Sequence, residues 1–326
     1  MQETQGEISL NGINAISPPV RAALYAVVAV ASGFADLHMR AHPLHGVTQY
    51  IPQVLNGTAD APGLYRVLVP FLLKGLSELT GASLENMWYV VRLGWFLAAY
   101  LIFDRYLRCW FVPAASVTGT LLVAATLPLT FTNSWPHPDH IAELALFTLA
   151  CLAVAERREW LFAAALALAS LNRETAVFLV LVYAVAGRLE RRHLARTLLF
   201  GAEFFFVWAG LRVWRGFQTY DFWQLPQNLA FLKLFPANYD PYYRAYAYFF
   251  LVLFGPLALI ALMRLRAKPL FVRRALWVIP PFVVVACTMS SIVETRIFTP
   301  LYPLLVPAVL ATLSPARQAA TSEVER

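Results

Sequence analysis

Charge is scarce in this chain. Only 14% of its 326 residues are Asp, Glu, Lys or Arg, against about 25% in an ordinary soluble domain, which argues against a water-soluble globular protein. Cysteine is scarcer still. Cys109, Cys151 and Cys287 are the only three, and none forms a CxxC pair. That excludes a disulfide framework and a cysteine-based metal site, and leaves all three as packing residues. Strand-length alternation of apolar and polar residues is missing, which argues against a β-barrel. No soluble domain, low-complexity tract or clear internal repeat interrupts the sequence.

What is present is apolar. Hydrophobic residues make up 59% of the chain, and the mean hydropathy is +0.58. They fall in repeated runs punctuated by arginines. Lipid offers no partner for a free backbone group, so such runs are expected to cross as helices. Candidate spans lie near 20–35, 86–103, 112–131, 141–156, 160–171, 175–187, 196–213, 245–263, 275–291 and 297–313. The expected fold is therefore all-α, a polytopic transmembrane helical bundle of about ten spans. A single domain covers 1–326, with a first outer loop at about 36–85 and a second long one at about 213–244. The run "RAALYAVVAVASGFAD" contains an A-x-A at Ala29 to Ala31. It is read as an uncleaved first span, because only Arg21 precedes it as a basic residue and the polar leader is long.

The net charge of +7 is topology information rather than a nucleic-acid footprint. Arg105 and Arg108, Arg157 and Arg158, Arg188 to Arg196, Arg264 to Arg274, and Arg317 follow alternate spans. Short loops rich in Arg and Lys face the cytoplasm. Both termini are then cytoplasmic, and no nucleic-acid partner is expected.

One stretch does not fit a plain span. "SLNRETAVFL" sets Arg173 and Glu174 between two apolar arms. The loops before and after it are both basic, so the segment should fold back on itself. Each arm of about 12 residues reaches about 18 Å at 1.5 Å per residue, short of a hydrocarbon core of about 30 Å. The charged tip should stop inside the membrane, lining a wet cavity or buried in protein.

The same topology places other polar residues on the outer side. They are Asp36, His38, Arg40, His42 and His45 after the first span; His137, Asp139, His140 and Glu143 in "HPDHIAE"; and Glu294 and Arg296 in "ETRIFTP". Residues 64–79 read as an interfacial helix, with Arg66, Pro70, Lys74 and Glu78 in one stripe. "NGT" at Asn56 matches a glycosylation sequon and is assigned no role. Trp214, Phe217, Tyr220, Phe222, Trp223, Tyr239, Tyr242 and Tyr243 crowd the second outer loop beside Asp221, Asp240 and Arg244. They suit an aromatic belt or a stacking surface for a sugar or lipid.

Asp36 ending the first span, "GLYRVLVPFLL" in the first outer loop, Asp139 in "HPDH" about 100 positions later, "NRET" and "ETRIFTPLYPLL" together resemble the GT-C superfamily of integral-membrane glycosyltransferases. The last three are also similar to motifs of bacterial membrane proteins related to it. The resemblance covers most of the chain as architecture. It implies a sugar moved from a polyprenyl-phosphate donor to a glycan, lipid or protein acceptor on the outer face, with inversion, in a bacterial inner membrane. Asp36 maps onto the family's acidic residue and is the expected general base. Arg173, Arg296 and Arg66 would hold the phosphate, Glu174 and Glu294 would orient those arginines, and Asp139 and His140 would contact sugar or phosphate. Some GT-C members use a divalent metal; here Asp36, His137, Asp139 and His140 would be its ligands. The large C-terminal outer domain of many GT-C enzymes has no counterpart, which leaves acceptor recognition to the loops. A transporter or flippase of a lipid-linked or anionic solute, a polysaccharide ligase or polymerase, and a metal-dependent membrane hydrolase would use similar buried charges.

Overall fold

The computed structural model describes residues 17–38, 46–131, 139–188, 190–220, 223–232 and 248–314. Among these the chain is helical throughout, with no strand. In chain order the α-helices are α1 (Pro18–His38), α2 (Ile51–Asn56), α3 (Leu68–Thr80), α4 (Leu84–Leu107), α5 (Pro113–Thr126), α6 (Asp139–Ala155), α7 (Glu159–Asn172) and α8 (Val177–Ala186). They continue as α9 (Arg191–Arg215), α10 (Leu225–Phe231), α11 (Phe249–Leu262), α12 (Leu270–Ala275), α13 (Ile279–Met289) and α14 (Tyr302–Leu313).

Within the described residues, each of the ten apolar runs marked in the sequence falls on a helix. Six helical stretches are long and apolar enough to cross a membrane: Pro18–His38, Leu84–Leu107, Pro113–Phe131, Arg191–Arg215, Leu270–Met289 and Thr295–Leu313. By length and composition this is an integral membrane protein. Glu159–Asn172, Glu174–Ala186 and Phe249–Leu262 are apolar but shorter.

Local sequence sets the helix ends. Ser83 caps α4 by accepting the Asn86 N–H at 3.2 Å, with Glu85 in its first turn and Arg105 in its last, as capping and the helix dipole favour. The "NGT" triplet has a local explanation: Gly57, at φ +75°, terminates α2 in the left-handed region, a conformation that glycine adopts without penalty.

Burial ranks the helices. α6 has fourteen of its seventeen residues buried and forms the centre of the bundle, with α14 equally enclosed. α9 lies at the other extreme. It buries only Phe200, Leu211 and Arg212 and exposes Leu194, Leu198, Leu199, Phe205, Phe206 and Val213. An apolar face of that extent suits contact with lipid tails.

The "NRET" segment folds back as the loop charges require. α7 ends at Asn172, Arg173 is extended (φ −158°, ψ 151°), and a single 3-10 turn, Glu174–Ala176, leads into α8. Tyr183 near the end of α8 donates to Glu159 Oε1 at the start of α7 (3.3 Å), and its ring lies 5.1 Å from Phe162. The arms are therefore antiparallel. The basic loops gather at one end of the bundle. Arg105 reaches Glu156 at 3.0 Å, and Arg274 donates to the carbonyls of Ala186 and Gly187 at 3.0 and 2.9 Å.

One expectation needs correction. The stripe Arg66–Pro70–Lys74–Glu78 does not share a face. Arg66 precedes α3, and its side chain turns inward at 11% exposure. Pro70 is buried, and only Lys74 and Glu78 point out, paired at 3.7 Å. The buried carboxylates described below draw Arg66 away from the surface.

Gly119 marks a close helix approach. A Cβ there would stand 2.6 Å from Leu107 Cδ1 and 2.7 Å from Leu310 Cδ1, the close crossing that small residues permit in membrane bundles. Gly119→Val is expected to lower stability by about 1–3 kcal/mol through overpacking. Gly75→Ala, where nothing lies within 4 Å, should leave it unchanged or slightly raised. Thermal unfolding in detergent measures both.

Candidate functional site: a buried arginine–carboxylate network

The end of the bundle opposite the basic loops collects the intramembrane charges. α6 begins there, and Asp139 and Glu143, four residues apart, lie on one helix face. Both are buried, at 1% and 4% exposure. Asp139 Oδ2 receives Arg66 Nη1 from the segment before α3 at 3.3 Å and stands 3.3 Å from Arg173 Nε at the hairpin tip. Arg173 Nη1 also donates to Glu143 Oε2 at 2.6 Å, and the Thr175 hydroxyl donates to the other oxygen of Glu143. Arg66 Nε faces Glu174 Oε2 at 3.7 Å. From the start of the last helical stretch, Arg296 grips Glu294 Oε2 through Nη2 at 2.7 Å, and its charge acts on Asp139 and Arg173.

Backbone contacts hold these segments in register. The Val67 N–H donates to the Leu171 carbonyl at 3.0 Å, tying Arg66 to the hairpin, and Asn172 Nδ2 donates to the Asp139 carbonyl at 2.8 Å. Tyr65 OH donates to the Gly216 carbonyl and accepts the Gln218 N–H, both at 2.9 Å. Arg212 of α9 lies over the rings of Tyr65 and Trp208, at 4.3 and 3.8 Å. Tyr50 sits within electrostatic reach of Asp139, Arg66 and Glu174.

Three arginines thus face four carboxylates in a low-dielectric interior. Arg173, Arg296, Asp139 and Glu143 are sealed, whereas Glu174 and Glu294 keep 29% and 27% of their side chains exposed. The opening of the network is on those two acids. Asp139 Oδ1, Asn172 Oδ1 and Glu174 Oε1 are buried acceptors with no hydrogen-bond donor among the described residues, an arrangement that costs stability unless a donor is supplied.

The structure brings together Arg66, Asp139, Arg173, Glu174, Glu294 and Arg296 of the residues singled out in the sequence. It keeps Asp36 apart. That side chain is fully buried at the end of α1 and pairs with Arg92 of α4, which in turn lies 5.2 Å from the Trp88 ring centroid. The two sites adjoin through α6: Ile141, two residues beyond Asp139, lines the same small cavity as Arg92. His140 is buried with its ring 4.4 Å from Phe131, and His38 bonds back to the Phe34 carbonyl at 2.9 Å.

Of the four residues a divalent ion would use, Asp36 pairs with Arg92, Asp139 with two arginines, His140 packs on Phe131, and His137 lies outside the described residues. Among the described residues no group of three or more His, Cys, Asp or Glu is placed to share an ion. Arg40, His42, His45, Asp221, Phe222, Tyr239, Asp240, Tyr242, Tyr243, Arg244 and Arg317 also lie outside the description. Trp214, Phe217 and Trp223 of the aromatic loop are exposed. Sequence reasoning missed Arg92, although a lone arginine in the apolar run "VVRLGWFLAAY" carries the same signal as Arg173.

No family model, no curated protein and no solved structure matches this chain.

Removing one member of a buried ion pair leaves an uncompensated charge and costs about 3–5 kcal/mol. Asp139→Asn and Arg92→Gln are each expected to lower stability by that order, and Lys74→Gln at the exposed pair by no more than about 0.5 kcal/mol. The double variant Asp36→Asn/Arg92→Gln should be less destabilised than the sum of its single variants, because both charges leave together. Unfolding midpoints of the purified variants test all four expectations.

Proposed function

We propose that the chain is a membrane-embedded glycosyltransferase of the GT-C kind, moving a sugar from a polyprenyl phosphate to an acceptor hydroxyl. The observation that carries this reading is the meeting of Arg66 and Arg173 on Asp139, with Arg296 within electrostatic reach, from three separated segments at the end away from the basic loops. In this reading the bundle has ten spans, the helix Leu68–Thr80 lies at the outer interface, and both termini are cytoplasmic. The network opens outward from a bacterial inner membrane.

Guanidinium groups bind phosphate oxygens in bidentate fashion and never lose their charge. The donor phosphate enters by exchange: it displaces the part-exposed Glu174 from Arg66 and Glu294 from Arg296, while Asp139 and Glu143 keep Arg173 fixed. The buried acceptors on Asp139, Asn172 and Glu174 suit the hydroxyls of a sugar, which supply the missing donors. The acceptor oxygen forms a bond to the anomeric carbon from the face opposite the phosphate, and the carbon–oxygen bond to phosphate breaks with inversion. The electron pair leaves on the phosphate, where the arginines stabilise the growing charge. In this reading the hydroxyl proton passes to Asp36, whose carboxylate must first come free of Arg92, since it is buried against that residue in the adjoining site. General base catalysis of this sort supplies about 10²–10⁴-fold.

The test is release of free polyprenyl phosphate from labelled polyprenyl-phosphate sugars by the protein in vesicles. Wild type should release it. Arg296→Ala should lose donor binding and turnover, and Asp36→Asn should bind donor with turnover reduced roughly 10²-fold or more. Full turnover by a folded Asp36→Asn variant would remove Asp36 as the base. Movement of intact donor across the vesicle without cleavage would replace the enzyme with a transporter.

A further inference from the structure

A second cavity, of about 670 Å³, lies at the opposite end of the bundle, among the basic loops. Arg157, Arg158, Arg188, Arg192, Arg196 and Arg274 line it, against two carboxylates, Glu159 and Glu190. Some of this charge is met within the protein. Arg196 and the Tyr183 hydroxyl both engage Glu159, Arg158 pairs with Glu156 at 3.0 Å, and Arg274 is held by the carbonyls that end α8. Arg188 and Arg192 have no ion pair or side-chain hydrogen bond within the described residues, and both are exposed. The cavity therefore carries an excess of four positive charges and two guanidinium groups available to an external anion.

Its walls are not those of a water-filled loop. Phe162, Tyr183 and Leu270 form an apolar side, and His193 stacks on Tyr183 at 4.9 Å. This packing needs Gly187, where a Cβ would meet the His193 ring at 2.3–2.5 Å. Trp160, next to the lining residue Glu159, is 72% exposed, and the exposed Leu199 and Phe206 continue the side of α9 that carries Arg192 and Arg196. A phosphate at Arg188 and Arg192 would have its hydrocarbon chains running along that face. Free phosphate would use only half of these features.

We propose that this cavity binds the phosphate headgroup of an anionic phospholipid, with its acyl chains on α9. Basic pockets between helices at the membrane surface recognise such headgroups through charge and hydrogen bonding together. The site is separate from the arginine–carboxylate network and does not depend on the function assigned there. α9 joins the two ends: its first turns carry Arg192 and Arg196, and its last carry Arg212 and Arg215.

The experiment uses the full chain in phosphatidylcholine nanodiscs doped with phosphatidylglycerol, with retained lipid counted by native mass spectrometry. Wild type should retain phosphatidylglycerol selectively. Arg188→Gln/Arg192→Gln should weaken retention by roughly 30-fold, the combined effect of two surface arginines, whereas Arg188→Lys/Arg192→Lys should keep most of it. Arg264→Gln/Arg266→Gln removes two exposed arginines that do not line the cavity and should leave retention unchanged. Equal losses in the two glutamine pairs would reduce the effect to general surface charge and overturn the proposal. So would unchanged retention in Arg188→Gln/Arg192→Gln, or displacement of the lipid by inorganic phosphate at matched concentration, which would make the ligand a soluble anion.

Discussion

The structure depends on how a charge survives in an apolar interior. An arginine cannot shed its proton, so inside a bundle it must be surrounded by acceptors or drawn to the surface. Here Asp139 takes two arginines from separate chain segments on one oxygen, and Glu143, one turn along, takes the second of these again. The break between α7 and α8, the inward turn of Arg66 and the burial of α6 on almost every side follow from that arrangement. Losing Asp139 would leave its two partner arginines short of countercharge at the tip of the hairpin.

The two ends of the bundle handle charge differently. At one end arginines and carboxylates neutralise each other, with the part-exposed acids Glu174 and Glu294 at the opening. At the other end the arginines outnumber the acids, and some meet only solvent or headgroups. The first arrangement favours a ligand that is both anionic and rich in hydroxyls. The second favours a simple anion attached to hydrocarbon.

Much of the architecture was legible in the sequence, because the apolar runs and the arginine-bearing loops are separate signals that agreed. The fold-back at Arg173 followed from loop charge and arm length alone, and the antiparallel contact between Tyr183 and Glu159 bears it out. The convergence of the "HPDH", "NRET" and "ETR" segments was legible only as a shared side of the membrane. Which residues touch depends on tertiary packing that periodicity does not encode. Asp36 illustrates the gap. Read in the sequence as the expected general base, it pairs instead with Arg92, 56 positions later inside another helix, and the packing of α1 on α4 buries the two together. Lys268 is a second case: in a basic loop read only for topology, it is 5% exposed and donates to the Ala308 carbonyl at 2.6 Å.

The shortness of the hairpin bears on the lipid around it. α7 has 14 residues and so reaches about 21 Å, while its neighbour α9 runs to 25 residues and α4, packed on α6, to 24. A polar tip at that depth shortens the hydrophobic path on one flank of the molecule. Were lipid to reach that flank, it would compress or splay to match it, at a fraction of a kcal/mol per ångström of mismatch. A locally thinned leaflet would lower the barrier for a long-chain lipid to bring its headgroup down to the arginines, so the membrane itself would form part of the entrance.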